Sequence, residues 1–186
     1  MDADTILAIK EYDVQDIIRL RRIITFGRNL IALSHPNICK YYGMAIERSN
    51  FYILMEFIGG GTLEKLLDAG RIGDEGTIKK YSREILEGIQ YLHSQGMIHR
   101  DLKPSNILLG TENQIKISGF TCVRMLAGSV DHEEDKSFGL VGTARYISPE
   151  LVRGEESTAP LAQDIWAVGM VTCQMATGMI KYDHCR

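Results

Sequence analysis

His99-Arg100-Asp101-Leu102-Lys103-Pro104-Ser105-Asn106-Ile107-Leu108-Leu109 decides how this chain is read. It sets a carboxylate, an ammonium and a side-chain amide within six residues, Asp101 to Asn106, and then turns apolar. A carboxylate can orient an attacking hydroxyl and accept its proton. A cation can steady a moving phosphoryl group, and an amide oxygen can hold a metal ion. A lone aspartate is commonly a turn or cap residue. Phosphoryl transfer is one chemistry that needs three such groups close together.

Four more stretches flank it. Thr5-Ile6-Leu7-Ala8-Ile9-Lys10 reads as a strand ending in a lysine, and Phe51-Tyr52-Ile53-Leu54-Met55-Glu56-Phe57 as a second strand. Gly142-Thr143-Ala144-Arg145-Tyr146-Ile147-Ser148-Pro149-Glu150 and Asp164-Ile165-Trp166-Ala167-Val168-Gly169 follow. In this order and together, these stretches resemble the eukaryotic protein kinase domain of serine/threonine type. Lys103, two residues after Asp101, is the serine/threonine choice in that resemblance. His35-Pro36-Asn37-Ile38, Lys40-Tyr41-Tyr42-Gly43, Gly60-Gly61-Thr62-Leu63 and Met175-Ala176-Thr177-Gly178 resemble the MAP kinase kinase kinases. Gly70-Arg71-Ile72, leading into Tyr91-Leu92-His93-Ser94-Gln95-Gly96, is similar to the fungal stress-pathway members of that group.

The resemblance implies an α+β, two-lobed protein-kinase-like fold. One partial domain would fill residues 1–186, with a small lobe and hinge over about 1–57 and a larger helical lobe over 58–186. It implies that Asp101 is the catalytic base, that Lys103 neutralises the terminal phosphate, and that Asn106 holds a magnesium ion. Lys10 would grip the nucleotide phosphates. Ala8 and Leu108 would wall the adenine, and Met55 would stand behind it. Glu56 and Ile58 would offer backbone groups to it, leaving their side chains uninformative. Thr143 would pair with Lys103. Arg100 would meet a phosphorylated residue of the activation segment, where Ser137 is a candidate. His99 is expected to be structural, packed in the core and bracing the loop.

The chain also departs from the family pattern. Where the family places Asp-Phe-Gly, this sequence has Gly119-Phe120-Thr121, so the second metal ligand is lost at Gly119. Where it places a helix glutamate that partners the lysine, this sequence has Phe26. The glycine-rich strand pair before Lys10 and the last helices of the larger lobe are expected to be absent, so the domain is expected to be truncated at both ends. The helix 163–177 is apolar on most sides, and its uncovered side is then expected to form an apolar patch. Metal assistance is commonly worth several kcal/mol, so losing its carboxylate is expected to cost orders of magnitude in rate.

Bulk properties agree. The 186 residues suffice for a sizeable core, and a net charge of −3 argues against a nucleic-acid-binding surface. Cys39, Cys122, Cys173 and Cys185 have no metal-ligand spacing and read as thiols of a reducing compartment. No apolar run approaches the ~18 residues of a membrane helix. A soluble cytoplasmic protein is expected, with the nucleus as the other compartment and no membrane partner.

Local patterns predict strands over 5–10 and within 39–57, and a helix over 14–33 that Gly27 weakens by about 1 kcal/mol. Leu63, Leu66 and Leu67 predict one face of a short helix. Asp74 is the expected N-cap of a longer one, in which Ile78, Tyr81, Ile85, Ile89 and Leu92 form a buried stripe that Gly96 ends. Ile107–Leu109 and Ile115–Ile117 predict a ribbon turning at Thr111-Glu112-Asn113, and 121–147 a surface loop.

The expected function is an ATP-dependent serine/threonine kinase of the MAP kinase kinase kinase type, with weak or absent phosphotransfer. The alternative is a pseudokinase, a binding or scaffold module, or a non-functional kinase fragment. The expected cofactors are ATP and Mg2+, with Mg2+ binding impaired. The expected partner is a MAP kinase kinase-type protein, as substrate or on a scaffold.

Overall fold

The computed structural model of this chain describes residues 6–13, 27–47, 50–70, 72–125, 142–154 and 159–178. Its first layer is a three-stranded antiparallel sheet in the order β1-β3-β2, with β1 at Leu7–Asp13, β2 at Tyr41–Glu47 and β3 at Asn50–Glu56. Alternation is plainest in β3, where Phe51, Ile53 and Met55 are buried and the residues between them are not. The register pairs Ala8 with Met55, Lys10 with Ile53 and Tyr12 with Phe51. Paired residues share a face of the pleat, so Lys10 and Tyr12 lie on the buried side of the sheet.

Residues 27–32 are helical (α1) and pack Leu30 against that face. Gly27 is less a weakness here than an allowance for close packing. A Cβ on it would sit 1.7 Å from Cε of Met44 on β2. Residues 14–26 of the helix expected over 14–33, Phe26 among them, lie outside the described residues, as does Ser137, and Leu33 falls just past the helix end.

Below the sheet, α2 spans Leu63–Asp68 and α3 spans Glu75–Ser94. Thr62 caps α2 through Lys65 N–H, and Asp74 caps α3 through the N–H groups of Gly76 and Thr77. Those side chains satisfy donors that the first helical turn leaves orphaned. On α3, Tyr81, Ile85, Ile89 and Leu92 are buried, each contributing about 1.5–3 kcal/mol as apolar surface leaves water. On α2, Leu63 and Leu67 lie about 40° apart around the helix and are buried, while Leu66, about 100° from Leu67, is exposed.

Short strands β4 (Met97–Ile98), β5 (Ile107–Leu109), β6 (Ile115–Ile117) and β7 (Arg124–Met125) follow. The ribbon β5-β6 forms as expected, turning through Glu112 and Asn113 at positive φ. The pairing of β4 with β7 was not legible as a pattern and gives order to part of the expected loop. A four-residue α4 (Pro149–Val152) precedes α5, Ala162–Thr177. On α5, Ala167, Val168, Met170, Val171 and Met175 are all buried. The expected apolar patch is therefore much reduced. Among the described residues of α5, Ile165 is the large apolar side chain left half exposed. The outward positions Ala162, Gly169 and Ala176 are small.

Candidate active site

The loop after α3 is held from beneath by a carboxylate. Asp164 stands in the first turn of α5 and is 1% exposed. It accepts the backbone N–H groups of His99 and Arg100, both at 2.9 Å, and Nε2–H of His93 at 2.8 Å. Arg100 is at φ 68, a conformation that a non-glycine residue keeps only where surroundings impose it. His99 is fully buried. Its Nδ1 accepts Asp101 N–H, and its Nε2–H donates to the Ser118 carbonyl at 2.9 Å. Its ring meets Phe120 at 5.0 Å, and Phe120 meets Tyr41 edge-on at 5.6 Å. The expectation that His99 braces the loop matches this geometry.

Asp101, Lys103, Asn106 and Thr143 are brought together. Lys103 Nζ lies 3.1 Å from Asp101 Oδ2 and donates to Thr143 Oγ1 at 2.6 Å. The Thr143 hydroxyl donates to Asp101 Oδ1 at 2.9 Å. The Asn106 amide donates to the Asp101 carbonyl at 2.7 Å and to Oδ2 at 3.2 Å. Proline at 104 starts a single 3-10 turn that folds Asn106 back over Asp101. Both carboxylate oxygens of Asp101 therefore already accept hydrogen bonds. Arg100 and Thr143 line a cavity of about 10 Å³ with Asp101, Ser148 and Asp164.

Position 119 faces the same amide. Gly119 has φ 84 and ψ 36, the left-handed region where glycine carries no penalty. A Cβ built there would lie 2.3 Å from both Cγ and Oδ1 of Asn106. The space that a side chain at 119 would use is occupied by the Asn106 amide.

Lys10 lies across the cleft. With Tyr12, Leu30, Ile53, Met55 and Gly119 it lines a cavity of about 30 Å³. Its Nζ stands 5.4 Å from the centroid of the Tyr12 ring, within the range of cation–π attraction. Ala8 and Leu108 are partly buried against the core, and Met55 is buried. Gly60 N–H donates to the Leu109 carbonyl at 3.0 Å, closing the segment after Ile58 onto β5.

Some functional geometry escaped the sequence reading. Glu56 was expected to matter through its backbone alone. Its carboxylate, at the end of β3, accepts hydrogen bonds from Lys40 N–H at 2.6 Å and from Nζ of Lys116, on β6, at 2.9 Å. Lys40 in turn donates to the carbonyls of Ile31 and Leu33, just where α1 ends. Asp164 opens one of the stretches that carry the resemblance and is the one charged residue of α5, but what its carboxylate holds shows only in the fold.

The protein kinase domain family profile matches residues 1–185. A Saccharomyces cerevisiae protein, Serine/threonine-protein kinase SSK22, is 40% identical over 93% of this chain. The Schizosaccharomyces pombe MAP kinase kinase kinase wis4 is 39% identical over 99% of it. Human Mitogen-activated protein kinase kinase kinase 4 is 35% identical over 82%. The chain spans 14% of the length of each yeast protein and 10% of the human one.

Proposed function

This chain belongs to the protein kinase domain family, and from that premise we propose that it is an ATP-binding protein of the MAP kinase kinase kinase type with weak or absent phosphotransfer. In this reading Asp101 is the base that would receive the substrate hydroxyl proton, and Lys103 steadies the transferred phosphate. Lys10 engages the nucleotide phosphates. Ala8, Met55 and Leu108 enclose the adenine, and the backbones of Glu56 and Ile58 bond to it. Arg100 and Thr143 organise the activation segment. Residues 1–57 and 58–186 act as the two lobes. The observation that carries the reading is the contrast at one place: the Asp101–Lys103–Thr143 cluster is assembled, while the neighbouring position 119 holds glycine.

The family uses magnesium, which requires hard and mostly anionic oxygen ligands. At this site the donors are the neutral Asn106 amide and a carboxylate already engaged three times. That donor set does not fit the ion, so magnesium binding is impaired. A pseudokinase that binds or scaffolds a MAP kinase kinase-type protein is the second reading, favoured by Gly119. The cytoplasm is the proposed compartment; none of the described helices is long and apolar enough to cross a membrane. The test is phosphate transfer from labelled ATP to a MAP kinase kinase, beside an Asp101→Asn control. Trace activity that the control abolishes is expected. Turnover typical of kinases, roughly 1–100 per second, would overturn the weak-transfer reading.

A further inference from the structure

We propose that Lys116 is a positioning residue for adenine, setting the spacing of the two adenine walls through its ion pair with Glu56. The inference rests on the nucleotide-binding reading above and gives a role to a residue outside the adenine contacts. Three observations carry it. The first is register. Ala8, on one wall, lies opposite Met55 in the pairing of β1 with β3, one residue before Glu56. Leu108, on the other wall, lies opposite Lys116 in the β5-β6 ribbon. Paired residues of antiparallel strands share a face, so Lys116 stands on the Leu108 face of the ribbon. Each partner of the ion pair therefore sits beside one wall.

The second is the pair itself. Nζ of Lys116 meets Oε1 of Glu56 at 2.9 Å across 60 residues of chain, and the two side chains are only 18% and 20% exposed. At that burial the pair is screened less than the surface pairs that contribute little. The same oxygen accepts Lys40 N–H at 2.6 Å, and hydrogen bonds to an ionised group are the stronger kind. The third is what remains without the pair. Backbone bonds join Ile117 to Asn37 and to Cys39, and Glu56 to Lys40. They keep the fold when Lys116 loses its charge, while the ion pair links the end of β3 to β6 directly. Adenine is a flat plate held between its walls largely by dispersion. A gap about 0.5–1 Å too wide forfeits a quarter to a half of each such contact. Wall spacing is thus the quantity that the pair controls.

Titration calorimetry with adenosine and with ATP decides this on the full chain. Lys116→Met keeps an unbranched stem and removes the charge. It should weaken adenosine and ATP binding severalfold and by the same factor, because the change acts on the base. Lys116→Arg should restore most of the affinity. Glu56→Gln retains an acceptor for Lys40 N–H and should cost as much as Lys116→Met, with the double variant no weaker than either. Unchanged adenosine affinity in Lys116→Met, a loss confined to ATP, or a loss that Lys116→Arg shares in full overturns the inference alone. Should Lys116→Met fail to fold, Glu56→Gln decides in its place, and unchanged adenosine affinity there is the overturning result. A wild-type chain that binds neither ligand overturns the nucleotide-site reading and this inference with it.

Discussion

The carboxylate of Asp164 accepts the backbone N–H of Arg100 at 2.9 Å, across 64 residues of chain. The bond keeps a non-glycine residue at positive φ one position before Asp101. The loop that carries the candidate base is thus held by a buried helix, and its aim depends on that helix being in place.

Asp164→Ala should be the most damaging single change near the site. It strands the N–H groups of His99 and Arg100 and removes the partner of His93. Leaving one buried donor unsatisfied costs about 1–3 kcal/mol, so two donors predict about 2–6 kcal/mol in urea unfolding. A loss below about 1 kcal/mol would show that the loop holds its shape without Asp164.

Ser148→Ala should go the other way. The Ser148 hydroxyl is fully buried and, among the described residues, has no hydrogen-bond partner. Removing it is expected to stabilise the protein by up to about 1 kcal/mol, since an unpaired buried hydroxyl only costs desolvation. A drop in thermal midpoint would mean that a water in the adjoining cavity of about 10 Å³ satisfies it.

Gly119→Ala tests the crowding directly. It puts a side chain at φ 84 and into the Asn106 amide, and about 1–3 kcal/mol should be lost. Adding Asn106→Ala should recover part of that loss, a coupling that a double-mutant cycle measures. Simple additivity would contradict the contact. For phosphotransfer, Gly119→Asp with Phe26→Glu should exceed either change alone, because both act on the same phosphates.

Gly60→Ala should weaken the segment after the hinge. Its Cβ would fall 2.2 Å from the Leu109 carbonyl oxygen, a backbone atom that cannot swing aside. A loss of about 1–3 kcal/mol is expected from overpacking. Gly27→Ala should cost less, because Met44 can move its terminal methyl. Paired melting curves of the two variants check the order.

Alkaline stability should depend on Cys39. Burial first, then the Glu56 carboxylate, push its thiol up from 9.0 to about 12, with Lys116 opposing. The unfolded chain ionises the thiol from about pH 9 while the folded chain keeps it protonated. The contribution is therefore whole below pH 9 and is lost as pH rises toward 12. Cys39→Ala should flatten that part of the stability profile between pH 8.5 and 10.5, roughly half a unit below and 1.5 above the unfolded value. An unchanged slope would refute the assignment.

The sequence by itself determined whatever depends on neighbours along the chain. Asp74 caps α3 because it stands just before the helix, and Tyr81, Ile85, Ile89 and Leu92 form a stripe because 3.6 residues complete a turn. Asp101, Lys103 and Asn106 were legible as one site because a single turn at Pro104 draws them together. The family was legible for the same reason, since its motifs are short and local. Tertiary structure decided the rest. Asp164 reaching back to the loop, Glu56 meeting Lys116, β7 pairing with β4 and the Asn106 amide filling the space at Gly119 all join segments that are distant in sequence. Nothing in a residue's identity states its long-range partner. That partner is chosen when burial removes water and each buried polar group must find another.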